Sequence, residues 1–361
     1  MLKKAGVLVF LLLSYEAATS QRAALERYDL RREKGEIVFG EDGRRRIKEA
    51  EERLKERTLT VVRDTMRIEG ADAHDYMSLA PYWFDNGEGI WERHDGERNP
   101  ETERWEDKRA MNNMVREVSL LALAERLHTQ EGDERNAQRA ADRMSEILRV
   151  WFVDERTRMN PNMQYAQFIP GKGREGKVRG AGLIESRCLM DVVESVEMVK
   201  ADGRADEALL SELRLWFRGL TEWMLDSPQG QKERQARNNH GTWYDAQVLM
   251  YAHFCGMREW TGQIQQELKA RLRDQIDEEG VQKYEMERTK SLSYCCFNIL
   301  AYEYCKDALE KEGVDVTQWE EWRRVERAKE RIRPYAENSG MDWTAQQIVP
   351  FEKREWQIIS R

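Results

Sequence analysis

The sequence offers little that could staple the chain, divide it or carry it through a membrane. Its five cysteines, Cys188, Cys255, Cys295, Cys296 and Cys305, are odd in number and include an adjacent pair. That pattern is no disulfide framework. Their largely apolar neighbours predict buried thiols, and no cysteine–histidine spacing suits zinc, so no metal or other cofactor is expected. The seven prolines are scattered and no Pro/Gly/Ser-rich linker appears, which predicts a single domain. Positive charge is in deficit: 59 Lys and Arg face 67 Asp and Glu, a formal net charge of −8. A nucleic-acid binder driven by non-specific charge is therefore excluded. Beyond the N-terminus no apolar run reaches the length of a bilayer span. Nor does any alternating run look long enough for a sheet.

What is present is helical periodicity. At the N-terminus, Lys3 and Lys4 precede an apolar stretch, Gly6 to Ser14, and the small residues Ala17, Ala18, Thr19 and Ser20. This reads as a secretory signal over 1–20 before a mature chain of 21–361, which predicts a periplasmic or secreted protein with no membrane attachment after cleavage. Helices are expected from Arg44 to Ile68, from Lys108 to about Glu131, and over 137–152, 184–199 and 205–224. Others are expected over 241–257, 262–275, 294–310 and 319–331, with a last one near Trp343. Glu69 to Pro100 reads as a long irregular wall or lid. Asn160 to Gly182 reads as a glycine-rich loop, and Asp226 to Arg237 as a polar one. Helix–loop repetition with a helix apolar on nearly every side at Gly241–Met257 predicts an all-α fold, a single-domain (α/α) toroid. Periodicity alone leaves a helical solenoid or an irregular bundle open.

Several ordered motifs carry a resemblance. They are Ala80-Pro81-Tyr82-Trp83, Asp95-Gly96-Glu97, Asn99-Pro100-Glu101, Trp151-Phe152, and Met159 through Gln167 with Asn160-Pro161-Asn162. They continue with Gly180 through Arg187, Asn238-Asn239-His240-Gly241-Thr242-Trp243-Tyr244-Asp245, and Glu287-Arg288-Thr289 to Tyr294. Each is weak singly. In this order they make the chain similar to the alginate lyase superfamily of α/α-toroid polysaccharide lyases over most of the mature chain. The resemblance implies a catalytic set of Asn239, His240, Arg288 and Tyr294. The best-known alginate lyases of this fold have one more residue between the Arg and the Tyr, so the chain resembles a divergent branch acting on alginate or on a related polyuronate such as glucuronan. Tyr82, Trp83, Asn162, Gln167, Arg187 and Asn238 are candidate groove residues. Twelve tryptophans suit both a core and a sugar groove.

These residue types fit β-elimination on an acidic polysaccharide. A base removes the C5 proton of a 4-linked uronate and O4 leaves with a proton. The neighbouring carboxylate must first be neutralised, and Asn239, His240 and Arg288 can do this, the last as a bidentate fork. Tyr294, with an ordinary pKa of about 10, is the expected proton shuttle. To act as a base it would need lowering by Arg288 or Lys290. In a mannuronate-type unit one Tyr could serve as base and acid. In a guluronate-type unit His240 would be the base. The plainer readings are a capping Asn pair, a packing His240, an Arg288 paired to Glu285 or Glu287, and a core Tyr294. Competing functions are a toroidal hydrolase of unsaturated uronides using Glu185 and Asp245, a non-catalytic secreted polysaccharide-binding protein, and a lyase of sulfated glycosaminoglycans. The sequence leaves the preferred polymer and the oligomeric state open.

Overall fold

The computed structural model describes residues 28, 30–33, 36–54, 58–172, 179–338 and 342–360. The expected signal segment lies outside them. Four helices are buried nearly all round: α2 (Asp107–Gln130), α4 (Leu189–Ala201), α7 (Asn239–Cys255) and α10 (Ser291–Lys311). They pack in the order α2–α4–α7–α10. Around them lie α3 (Glu134–Phe152), α5 (Glu207–Asp226), α8 (Arg258–Gln275) and α11 (Arg323–Glu337). Each outer helix buries one stripe. In α8 this is Thr261, Ile264, Leu268, Leu272 and Gln275, a spacing of three and four that puts one side inward. Helix α1 (Glu41–Glu52) packs on α2. The arrangement is an all-α toroid in one domain, as expected. Among the described residues no helix is long and apolar enough to cross a membrane.

Several boundaries differ from expectation for local reasons. The helix expected to reach Ile68 stops at Glu52. The following Thr58-Leu59-Thr60-Val61-Val62 is rich in β-branched residues, which favour extended backbone, and only a 3₁₀ turn forms at Val61–Arg63. The supposed polar loop after α5 holds helix α6 (Pro228–Arg234), started by Ser227, whose side chain accepts the amide of Gly230, and by a proline in its first turn. A 3₁₀ run, Ala181–Cys188, precedes α4, and α11 starts at Arg323 rather than 319. Near Trp343 the chain is irregular, and the last helix, α12, is Lys353–Ser360.

Strands exist after all, but each has three or four residues, too few to show alternation. Strands β1 (Arg31–Glu33) and β2 (Glu36–Val38) pair antiparallel. Strand β3 (Met77–Leu79) pairs in parallel with β6 (Tyr165–Phe168). Strands β4 (Trp83–Asp85) and β5 (Trp91–Arg93) form a hairpin in the register Trp83↔Arg93. A small apolar cluster of Ile68, Met77, Leu79, Trp105 and Tyr165 supports β3 and β6 away from the main core. All five cysteines are free.

Candidate active site

The start of α7 sets two of the expected catalytic residues. Asn238 caps the helix, its side chain accepting the amide of His240 at 3.3 Å. Gly241 follows because a Cβ there would fall 2.1 Å from the carbonyl oxygen of Ala236. The chain can thus fold closely back on itself. Asn239 is buried, and its backbone amide and Nδ2 donate to the two oxygens of Glu285 at 2.6 and 2.8 Å. Glu285 belongs to the short helix α9 (Lys283–Met286). The Nδ1 of His240 lies 2.6 Å from Oε1 of Glu233 on α6. A carboxylate at Nδ1 selects the tautomer with its proton there and leaves Nε2 as an acceptor.

Arg288 and Tyr294 form the opposite wall. The guanidinium carbon of Arg288 sits 3.6 Å from the ring centroid of Tyr294. Its Nε and Nη2 donate to Asp95 at 3.1 and 2.8 Å, a bidentate pair that Thr289 completes with its amide and hydroxyl. Gly96, at φ 78°, permits this approach, since a Cβ there would meet the Thr289 hydroxyl at 2.4 Å. The Tyr294 hydroxyl is 2.9 Å from that of Tyr82.

Burial raises the Asp95 carboxyl, but the hydrogen bonds and charge of Arg288 outweigh it and hold the group at about 2. Burial would lower Arg288; Tyr294 and Asp95 more than reverse this, so it stays charged. Burial drives the Tyr294 phenol well above its ordinary value, Tyr82 adds to the rise, and Arg288 opposes it without prevailing. The expectation that cationic neighbours lower this phenol is therefore not met. Burial also raises Glu285, against the hydrogen bonds from Asn239.

The four residues expected to be catalytic open on one cavity of about 560 Å³. Tyr82, Trp83, Gln167, Asn238, Asn239, His240, Arg288 and Tyr294 all line it, with Phe297 and Ile169. Five cationic side chains, Arg93, Lys172, Arg179, Lys232 and Arg288, line it too, and among the described lining residues there is no carboxylate. Gln167 has a left-handed backbone (φ 51°), uncommon for a non-glycine residue. Its amide donates to Ser78 Oγ at 2.8 Å.

Two expected groove residues lie elsewhere. Asn162 serves a turn, donating to Asp75 at 3.2 Å and accepting the amide of Gln164 at 3.0 Å. Arg187 is buried against Trp243 and Phe297, its guanidinium carbon 5.6 and 5.2 Å from their centroids, and donates to the carbonyl of Ile184. The carboxylate pair a hydrolase would need is not in the cleft. Asp245 is fully buried and paired with Arg271 at 2.7 Å. Glu185 is buried, bound by Tyr76, Ser78 and Lys108.

The family model described as alginate lyase matches residues 62–341. The chain belongs to the alginate lyase family. A comparison with curated proteins finds no match. Among solved structures, an alginate lyase from Bacteroides ovatus is similar at 26% identity and a TM-score of 0.74, covering 98% of this chain and 90% of that one. Alginate lyase A1-III of Sphingomonas species A1 is far more distant, at 14% identity and a TM-score of 0.45 over 90% of this chain and 79% of that one. As a member of the alginate lyase family the protein is a polysaccharide lyase, and every cavity residue falls within the matched range.

Sequence reasoning about this lyase missed the cations Arg93, Lys172, Arg179 and Lys232 and the carboxylates Asp95, Glu233 and Glu285 as site elements. Only Asp95 had a local signal, the turn it forms with Gly96. The others depend on which loops meet at the mouth of the toroid. His74, His94, His128 and His253 lie outside the cavity.

Proposed function

We propose that the cleft cuts alginate, a 4-linked polyuronate, by β-elimination. The observation that carries this reading is a cavity whose described lining residues include five cations and no carboxylate, in a chain of net charge −8, where Asn239, His240, Arg288 and Tyr294 converge. A polyanion is drawn to such a local field regardless of net charge. The family assignment and the Bacteroides ovatus alginate lyase support the choice of polymer.

In the proposed step Arg288 and the second N–H of Asn239 Nδ2 engage the uronate carboxylate. His240 Nε2 takes the C5 proton, and Glu233 stabilises the imidazolium that forms. The charge left on C5 spreads into the carboxylate, where Arg288 and Asn239 meet it. The C4–O4 bond then breaks, its electron pair leaves with O4, and Tyr294 supplies the proton. The product carries a C4–C5 double bond, and a proton returning from the imidazolium through solvent restores the phenol. The raised phenol supports Tyr294 as the acid, since it starts protonated. This division of labour favours units whose C5 proton and O4 lie on opposite ring faces. Units with both on one face would require Tyr294 to begin ionised.

The test is ultraviolet absorbance of the double bond with alginate, mannuronan, guluronan and glucuronan as substrates. Tyr294→Phe and His240→Ala should each lose roughly 10²-fold or more, the scale of acid–base catalysis. Full activity of Tyr294→Phe on the preferred polymer would overturn the assignment. We also infer export with loss of residues 1–20, which N-terminal sequencing of the exported protein checks.

A further inference from the structure

The cations of the cleft are not equivalent. Arg288 and Arg93 share Asp95, Arg93 donating to it at 2.7 Å. Arg179 has no such partner: among the described residues nothing accepts a hydrogen bond or forms an ion pair with its guanidinium. It is half-buried at the start of the 3₁₀ run behind the cavity, its guanidinium carbon 5.7 Å from the ring centroid of Trp83. The ammonium of Lys172 lies 5.3 Å from the same ring. Burial, aided by the like charge of Arg93, lowers Arg179 to about 10, against the weaker pull of Glu233 and Glu185. A guanidinium carries five donors in a fixed fork. Partly desolvated, and with the carboxylates of Glu233 and Glu185 felt only through space, it costs stability that a directly hydrogen-bonded anion recovers.

Two neighbouring residues, Tyr82 in the turn before β4 and Trp83 at its first position, link this cluster to the reaction centre. Tyr82 touches the Tyr294 hydroxyl, while the adjacent Trp83 carries Arg179 and Lys172. The carboxylate of the unit being cut belongs to Arg288 and Asn239 in the reading above. A separate fork on the Trp83 side of the same cavity calls for a separate carboxylate. We propose that Arg179, assisted by Lys172 against Trp83, is a specificity-determining residue that grips the carboxylate of the uronate next to the one cleaved. The enzyme then selects two successive uronates rather than a single one. This rests on the polyuronate reading and extends it to a second position.

Steady-state kinetics of Arg179→Gln on the preferred polyuronate test it, beside a partly carboxyl-reduced polymer in which most uronates have neutral neighbours. A charge-assisted bidentate contact predicts a rise in KM of about tenfold to a hundredfold, with a much smaller change in kcat. Arg179→Lys should recover part of the loss, since it keeps the charge without the fork. On the reduced polymer the wild type should fall towards the level of the glutamine variant. An unchanged KM for Arg179→Gln on the polyuronate overturns the proposal while leaving β-elimination intact. So does an equal wild-type advantage on both polymers, because Arg179 would then be reading the cleaved unit itself. A wild type inactive on every polyuronate overturns the functional reading and this proposal together.

Discussion

Behind three of the four polar groups expected to act on substrate stands a carboxylate: Glu285 behind Asn239, Glu233 behind His240, Asp95 behind Arg288. Each removes one degree of freedom, by orienting an amide, selecting a tautomer or aiming a fork. Glu233→Gln offers an amide where the ring wants an acceptor of undivided negative charge. Its kcat should fall about tenfold to a hundredfold, the scale of losses when a partner orienting a histidine is removed, with little change in KM. Single-turnover measurement of double-bond formation checks this, and an unchanged kcat would show the contact to be structural. The three residues these carboxylates serve were legible because their motifs are local in sequence. The partners were not: Glu285 is 46 residues from Asn239, and Asp95 is 193 from Arg288. No periodicity marks such a pairing. Arg187 was misread for a related reason, since a cation stacked under two aromatic rings looks in sequence like one facing a groove.

At the scale of elements, α10 begins without a side-chain cap of its own. The irregular segment around Gln347 supplies one. Gln346 O accepts the amide of Ser291, Gln347 Oε1 accepts that of Leu292, and Gln347 Nε2 donates to Ser293 Oγ. Ile348 donates to the carbonyl of Thr289. The free amides of the first turn are thus satisfied by chain that lies beyond the family match, which ends at 341. Arg288 and Tyr294 flank this junction. Gln347→Ala should therefore cost about 1 kcal/mol, the usual scale of a lost cap, and lower turnover by more than thermal unfolding would suggest. Melting curves beside initial rates separate the two effects. The helices themselves were legible wherever an apolar stripe or an all-apolar helix recurs at 3.6 residues. The small strands and α6 were not, being too short or too polar to carry a period. The capping strap has no pattern at all.

Over the whole molecule, charge is segregated: an acidic chain surrounds a basic cleft. Screening should therefore lower kcat/KM on the polymer as salt rises, mainly through capture of substrate. A rate indifferent to salt between about 0.05 and 0.5 M would contradict that. Stability should respond to pH through Asp107, which accepts the amide of Met77 at 2.9 Å while burial pushes its carboxyl up to about 8. The folded protein holds this proton more tightly than the unfolded chain, whose carboxyl has a value of about 4. The contribution is whole below that value and is lost as pH rises through about 8. Asp107→Asn keeps an acceptor for Met77 and removes the titration. Its Tm should decline less than that of the wild type between about pH 5 and about pH 9. Asp95 holds two parts of the molecule at once, receiving Arg93 from the hairpin wall and Arg288 from the proposed reaction centre. Through that rivet, a hairpin swung aside to let a cut chain escape would drag the guanidinium off its phenol, and the enzyme would disarm itself each time it lets go.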